Sequence, residues 1–119
     1  GGIWTDASDR AAKKNFTPVE TRTILERVAR LPVTIWNYKT EDPSLRHIGP
    51  VAQDFHAAFA VGADDKHIAA LDGNGVALAA IQGLNQKVEE QRAENAELKR
   101  RLAQLEQLVI KLSTKRGQP

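Results

Sequence analysis

Residues Ile81–Leu112 read IQGLNQKVEEQRAENAELKRRLAQLEQLVIKL, and the spacing in this stretch decides the architecture. Ile81, Val88, Asn95, Leu102 and Val109 fall at the a positions of a heptad. Leu84, Gln91, Leu98, Leu105 and Leu112 fall at d, so the seam repeats three and four apart without a break. No glycine or proline interrupts the run between Leu84 and Lys115. The spacing predicts one helix over residues 76–116, and about forty helical residues extend roughly 60 Å. The small head ahead of it, residues 8–75, cannot cover that length, so most of the seam needs partner chains.

The pattern leaves the number of chains open. Asn95 at a often favours dimers, and Gln91 at d selects no state by itself. Between neighbouring chains, Glu94 would attract Lys99 and Arg101 would attract Glu106, while Lys87 would face Arg92. Each exposed contact is worth at most about 1 kcal/mol, so two attractions outweigh one repulsion. The polar layers at Gln91 and Asn95 fix register more than they add stability.

Outward from the seam, composition removes several classes of function. The chain has 119 residues and a net charge of +2. Residues 1–73 carry 9 Lys/Arg against 10 Asp/Glu, giving −1, and residues 74–119 carry 8 against 5, giving +3. No concentrated basic arm results, so a nucleic-acid partner is not expected. Lys99-Arg100-Arg101 lies inside the heptads, whereas a basic-zipper reader needs its basic region upstream of them. There is no cysteine, hence no disulfide or thiolate metal site. No apolar run approaches the ~20 residues that span a bilayer, and the N-terminus lacks a signal pattern. A membrane partner is not expected, and the chain reads as a soluble, C-terminal piece of something longer. His47, His56 and His67 have no acidic residue at ligand spacing, and Asp64-Asp65 and Asp72-Gly73-Asn74-Gly75 lack the twelve-residue calcium pattern. No phosphate-binding glycine loop is present. Neither a metal nor a cofactor is expected.

Ahead of the seam a small head is predicted. Thr17-Pro18-Val19-Glu20 reads as a helix start, with Thr17 as N-cap, Pro18 at the first helical position and Glu20 completing a capping box. Val19, Ile24, Leu25, Val28 and Leu31 then form an apolar face that ends at Pro32. Val33–Lys39 alternates like a strand and Arg46–Pro50 returns as its partner, giving a hairpin with a loop of roughly four to six residues. Gln53–Val61 reads as a second helix with Phe55, Ala58 and Phe59 inward. His67–Leu71 reads as a short strand, and Asp72-Gly73-Asn74-Gly75 as a turn before the long helix.

The polar stretch Ala7–Asn15, ASDRAAKKN, holds Ser8 and, five residues on, Lys13. A serine hydroxyl attacks well only when a base takes its proton, and a lysine is that base only when neutral. Residues five apart lie on different faces of a helix and about 17 Å apart in an extended chain. For the two side chains to meet, the segment must bend or the lysine must come from a neighbouring chain. Chance produces this spacing constantly, and composition alone reads the stretch as a polar lead-in loop.

Four segments taken together change that reading. SDRAAKKNFTPV from Ser8, LPVTIWNYK from Leu31, RHIGPVAQDFHAAF from Arg46 and DGNGVALAAIQGLN from Asp72 resemble, in order, the C-terminal intramolecular chaperone domain of endosialidases and phage tail fibres. That family is also described as self-cleaving serine peptidases. The resemblance covers residues 8–85 and implies a homotrimer whose folding client is the upstream stalk of the same polypeptide. It implies a cut at the Ala7–Ser8 bond, with Ser8 as nucleophile, Lys13 as general base and Asp9 orienting the loop. Phage tail, virion or bacterial cell surface are the settings it implies. The chain departs from the family pattern at Ala11-Ala12, where Arg-Leu usually precedes the lysine.

The expectation is therefore an α+β, mainly helical chain: a small head with a short hairpin, then a long helix forming a parallel trimeric coiled coil. Residues 1–7 are expected to end a stalk or to be a cloning remnant, 8–75 to form the head, 76–116 the coiled-coil helix, and 117–119 a disordered tail. The rival reading is a non-cleaving trimeric anchor or assembly module of an adhesin or fibre.

Overall fold

Pro32 sets the end of the first helix. Residue 31, just before it, is pushed out of the helical region by the proline ring, and Leu31 is extended (φ −69°, ψ 123°). The computed structural model describes residues 7–117. It places α1 at Thr21–Arg30, β1 at Thr34–Trp36, β2 at His47–Gly49, α2 at Ala52–Phe59 and α3 at Ala70–Arg116. The fold is mostly helical, with one two-stranded antiparallel hairpin and a long C-terminal helix. The expected ends of the chain, residues 1–6 and 118–119, lie outside the described residues.

Helix α1 starts later than the capping signal suggests. Thr17–Val19 stay outside it, Glu20 is the N-cap without a side-chain capping bond, and the Ile24 N–H bonds the Glu20 carbonyl at 3.1 Å. Asn15, with φ 59°, turns the preceding chain, and Phe16 is held under Arg10. A local capping preference of about 1 kcal/mol yields to that loop. Val19 is consequently exposed, while Ile24, Leu25, Val28 and Leu31 are half-buried as a stripe.

Both strands are shorter than their β-branched runs, and the hairpin pairs Thr34 with Gly49, Ile35 with Ile48 and Trp36 with His47. The connection is ten residues, 37–46, longer than the four to six expected. Two successive turns lengthen it: Glu41 N–H bonds the Tyr38 carbonyl and Leu45 N–H bonds the Asp42 carbonyl. The Glu41 carboxylate also accepts from Tyr38 N–H at 2.7 Å and pairs with His47 Nε2 at 2.7 Å. Residues 38 and 39 are thus drawn out of the ladder.

Helix α2 buries Phe55 and Phe59, one turn apart with ring centroids 5.0 Å from each other. Ala58 is half-buried. The helix stops one residue before Ala60, which adopts φ 52° and bonds back to the His56 carbonyl. Arg27 of α1 ties the two helices by donating to the Ala58 carbonyl at 2.8 Å.

No strand forms at 67–71, and residues 72–75 are not a turn: both lie in or beside the first turns of α3. The Gly73 N–H closes a helical bond to the Ala69 carbonyl at 3.0 Å. Two glycines cost about 2 kcal/mol against alanine, and continuity with a long helix offsets it. Farther along, Ala80 and Gly83 are the buried residues of α3. A Cβ on Gly83 would fall inside contact with the Thr21 carbonyl, so α1 and α3 approach backbone to backbone there.

The chain divides into two compact units after Leu84. Among the described residues, the buried apolar side chains are Phe55, Phe59 and Ala80, all in the first unit. In the second unit every residue from Asn85 to Gly117 is exposed.

Candidate functional site

The loop ahead of α1 holds the candidate residues Ser8, Asp9 and Lys13. Asp9 begins a single 3-10 turn, Arg10–Ala12, and its side chain accepts from the Ala11 N–H at 3.0 Å. The Asp9 carbonyl accepts from Ala12 at 3.0 Å and the Arg10 carbonyl from Lys13 at 3.2 Å. This turn shortens the path between residues 8 and 13. Lys13 Nζ donates to Ser8 Oγ at 2.8 Å, so a hydroxyl and an amine of the same chain meet. The segment bends, and no neighbouring chain is needed to supply the lysine. Ala7, Ser8, Asp9 and Lys13 are all exposed.

Two residues missed in the sequence reading close the same loop. The Arg10 guanidinium lies 5.9 Å from the centroid of the Phe16 ring, and Asn15 takes the left-handed conformation that Asn tolerates better than most residues. An i,i+6 cation–ring contact has no periodic signature. Only the asparagine hinted at a turn.

Residues 8–61 match a peptidase family described as the chaperone of endosialidase. This segment belongs to that chaperone family. The match is a little under half of the chain. It opens on Ser8, takes in the loop, α1, the hairpin and α2, and ends before α3. The segment from Asp72 that also resembles the chaperone family lies beyond it. No curated protein matches the chain.

Within the chaperone segment a second cluster lies on the hairpin. Trp36 and Tyr38 meet edge to face with centroids 4.8 Å apart, and His47 lies 4.9 Å from Trp36. The Glu41–His47 pair closes this cluster, so His47 is engaged in holding the long hairpin loop. His67 bonds Asp64 at 3.0 Å, and His56 is half-buried on α2. Among the described residues no three His, Asp or Glu side chains converge on a point that could hold a metal. Asp64 is held below the usual carboxylate range, first by the Lys66 backbone N–H and then by His67.

The seam residues occupy α3. Ile81 and Leu84 fall in the first unit, and Val88, Gln91, Asn95, Leu98, Leu102, Leu105, Val109 and Leu112 in the second. All ten are exposed; Leu98, Leu102 and Val109 keep 59%, 57% and 64% of their surface in solvent. No helix among the described residues is long and apolar enough to cross a membrane.

Proposed function

We propose that the chain is an intramolecular chaperone and trimerisation domain of a fibrous phage tail or surface protein, released from its stalk by cutting its own Ala7–Ser8 bond. The observation that carries the cleavage half is the 2.8 Å contact between Lys13 Nζ and Ser8 Oγ, in a segment that matches the chaperone family from its first residue.

The chemistry follows from that pair. Ser8 Oγ attacks the Ala7 carbonyl carbon and an O–C bond forms as Lys13 takes the hydroxyl proton. The C–N bond to Ser8 then breaks, and the proton passes from Lys13 to the leaving amine. Water hydrolyses the resulting ester, giving the Ala7 carboxylate and the free Ser8 hydroxyl. The sequence demands a neutral amine. In the single chain Lys13 donates to the hydroxyl, and both groups face water. Desolvation disfavours a charged amine, so the pair becomes active where packed chains cover the loop. Cleavage is thereby tied to assembly.

Two features support assembly. Among the described residues the first unit buries only the apolar side chains of Phe55, Phe59 and Ala80, too few for a stable independent core of its length. The heptad seam leaves its leucines in solvent, and burying each contributes about 1.5–3 kcal/mol. Three parallel chains would share the seam and bring three upstream stalks into register, which is what a folding template for a fibre requires.

The exposure of Lys13 favours one second reading, a non-cleaving trimeric anchor built from the same head and helix. A folded tag fused before Gly1 separates the two. Release of a fragment beginning at Ser8, lost in Ser8→Ala and in Lys13→Ala, supports the peptidase; an uncut band over days leaves the anchor. Light scattering on a sizing column tests the chain number independently.

A further inference from the structure

We infer that Arg10 and Phe16 are positioning residues that hold Ser8 and Lys13 together. The inference rests on the proposed cleavage only for its kinetic consequence; the clasp itself is a property of the loop.

A hydroxyl–amine contact between two exposed side chains is easily lost, because the lysine stem has four rotatable bonds and water competes at both ends. The turn that supports it is three residues long, and a lone helical turn fixes several dihedrals for one or two bonds. Something outside the turn must steady it. Asp9 holds its start through the Ala11 N–H. Its end is the Arg10 carbonyl, which accepts the Lys13 N–H at 3.2 Å. Arg10 is also the residue whose guanidinium rests over Phe16, and Phe16 stands beyond the left-handed Asn15 on the path into α1.

A physical chain therefore links the framework to the reacting pair. Phe16 fixes Arg10, the Arg10 carbonyl fixes the Lys13 backbone, and the Lys13 backbone sets where Nζ can reach. Ala11 and Ala12 cannot perform this task. Both are exposed and carry only methyl groups, at the two places where the chain departs from the family pattern. The contact is electrostatic as well as apolar, since a cation over a ring face is drawn to its quadrupole. The aromatic character of residue 16 should therefore matter beyond its bulk.

The test is made on the full chain, isotope-labelled and carrying the upstream tag. The Ser8 Hβ to Lys13 Hε nuclear Overhauser effect reports the pair, tag release reports the reaction, and thermal melting reports the fold. Arg10→Ala and Phe16→Leu are expected to weaken the Overhauser effect and slow release by about two- to fivefold, the range an exposed cation–ring contact supports. Phe16→Tyr should restore both, and melting should not move, because the loop buries nothing. An Overhauser effect absent from the unmutated chain, or unchanged in Arg10→Ala and Phe16→Leu, overturns the inference. So does equal loss in Phe16→Leu and Phe16→Tyr, or a fall in melting temperature that accompanies the loss. Should the unmutated chain release no tag, the peptidase reading fails while the Overhauser measurement still decides the clasp.

Discussion

Gly83 has room for a hydrogen and nothing larger. A methyl there would meet the Thr21 carbonyl oxygen and carbon and stand 3.1 Å from the Leu25 Cβ, and backbone cannot swing aside as a flexible side chain can. Gly83→Ala should therefore separate α1 from α3 and lower stability by about 1–3 kcal/mol despite its better helix propensity. A urea midpoint at unchanged slope would measure it, and an unchanged midpoint would mean that the two helices are not so close. Asp64 makes a different kind of prediction. Its folded pKa lies below the ordinary 3.8, with the Lys66 N–H the larger cause and His67 the next. Its contribution is thus complete above 3.8 and fades as pH falls through the depressed folded value. The Lys66 amide resonance should hold steady on acidification down to about pH 4 and shift below it. Asp42, held down by Ser44 through its backbone N–H and then its hydroxyl, should behave likewise at the hairpin loop.

Among the elements, α3 begins with avoidable weakness. Gly75 lies in its second turn with nothing within 4 Å of a would-be Cβ, and it has no left-handed backbone to protect. Gly75→Ala should raise stability by about 1 kcal/mol, read as a higher melting temperature; a loss would show that the space is filled in the assembly. These glycines also explain what the sequence conceals. Asp72-Gly73-Asn74-Gly75 is turn chemistry by local rules, yet it is wound into a helix of 47 residues, where cooperative extension outweighs single-residue preference. The capping box at Thr17–Glu20 fails for a related reason, since the Arg10–Phe16 loop commits the chain before α1 starts. Apolar spacing is more robust: it locates α1, α2, the hairpin pairing and the long helix, because each buries or leaves open a recognisable stripe. For the site, the Ser8 and Lys13 positions came through family resemblance, and spacing alone left them undecided. A one-turn bend that joins residues five apart has no hydrophobic period to betray it, and neither does the cation–ring contact that steadies it.

At the scale of the whole molecule, the ten seam positions carry the argument for function. The Arg100 guanidinium is taken by Glu97 on its own helix, and Arg92 is bonded to Glu89 in the same way. Such exposed pairs contribute little, so any helix association must come from the apolar a and d side chains. Replacing both Leu98 and Leu105 with Asp, in every copy, would place three carboxylates in each of two layers of a parallel trimer. Burying unpaired charge is far costlier than losing a leucine contact, so the double variant should scatter as a single chain at micromolar concentration. The head's buried side chains, Phe55, Phe59 and Ala80, all lie ahead of Asn85, so the head should keep its aromatic circular-dichroism signature. If the exposed Ser8–Lys13 loop needs neighbouring chains to dry it, tag release must vanish in the same variant even though both residues remain. Continued release from a monomer would detach the cutting chemistry from assembly and leave the seam as an anchor only. A variant that stays three-chained would show instead that these leucines do not face the partner helices, and that some other surface joins the copies.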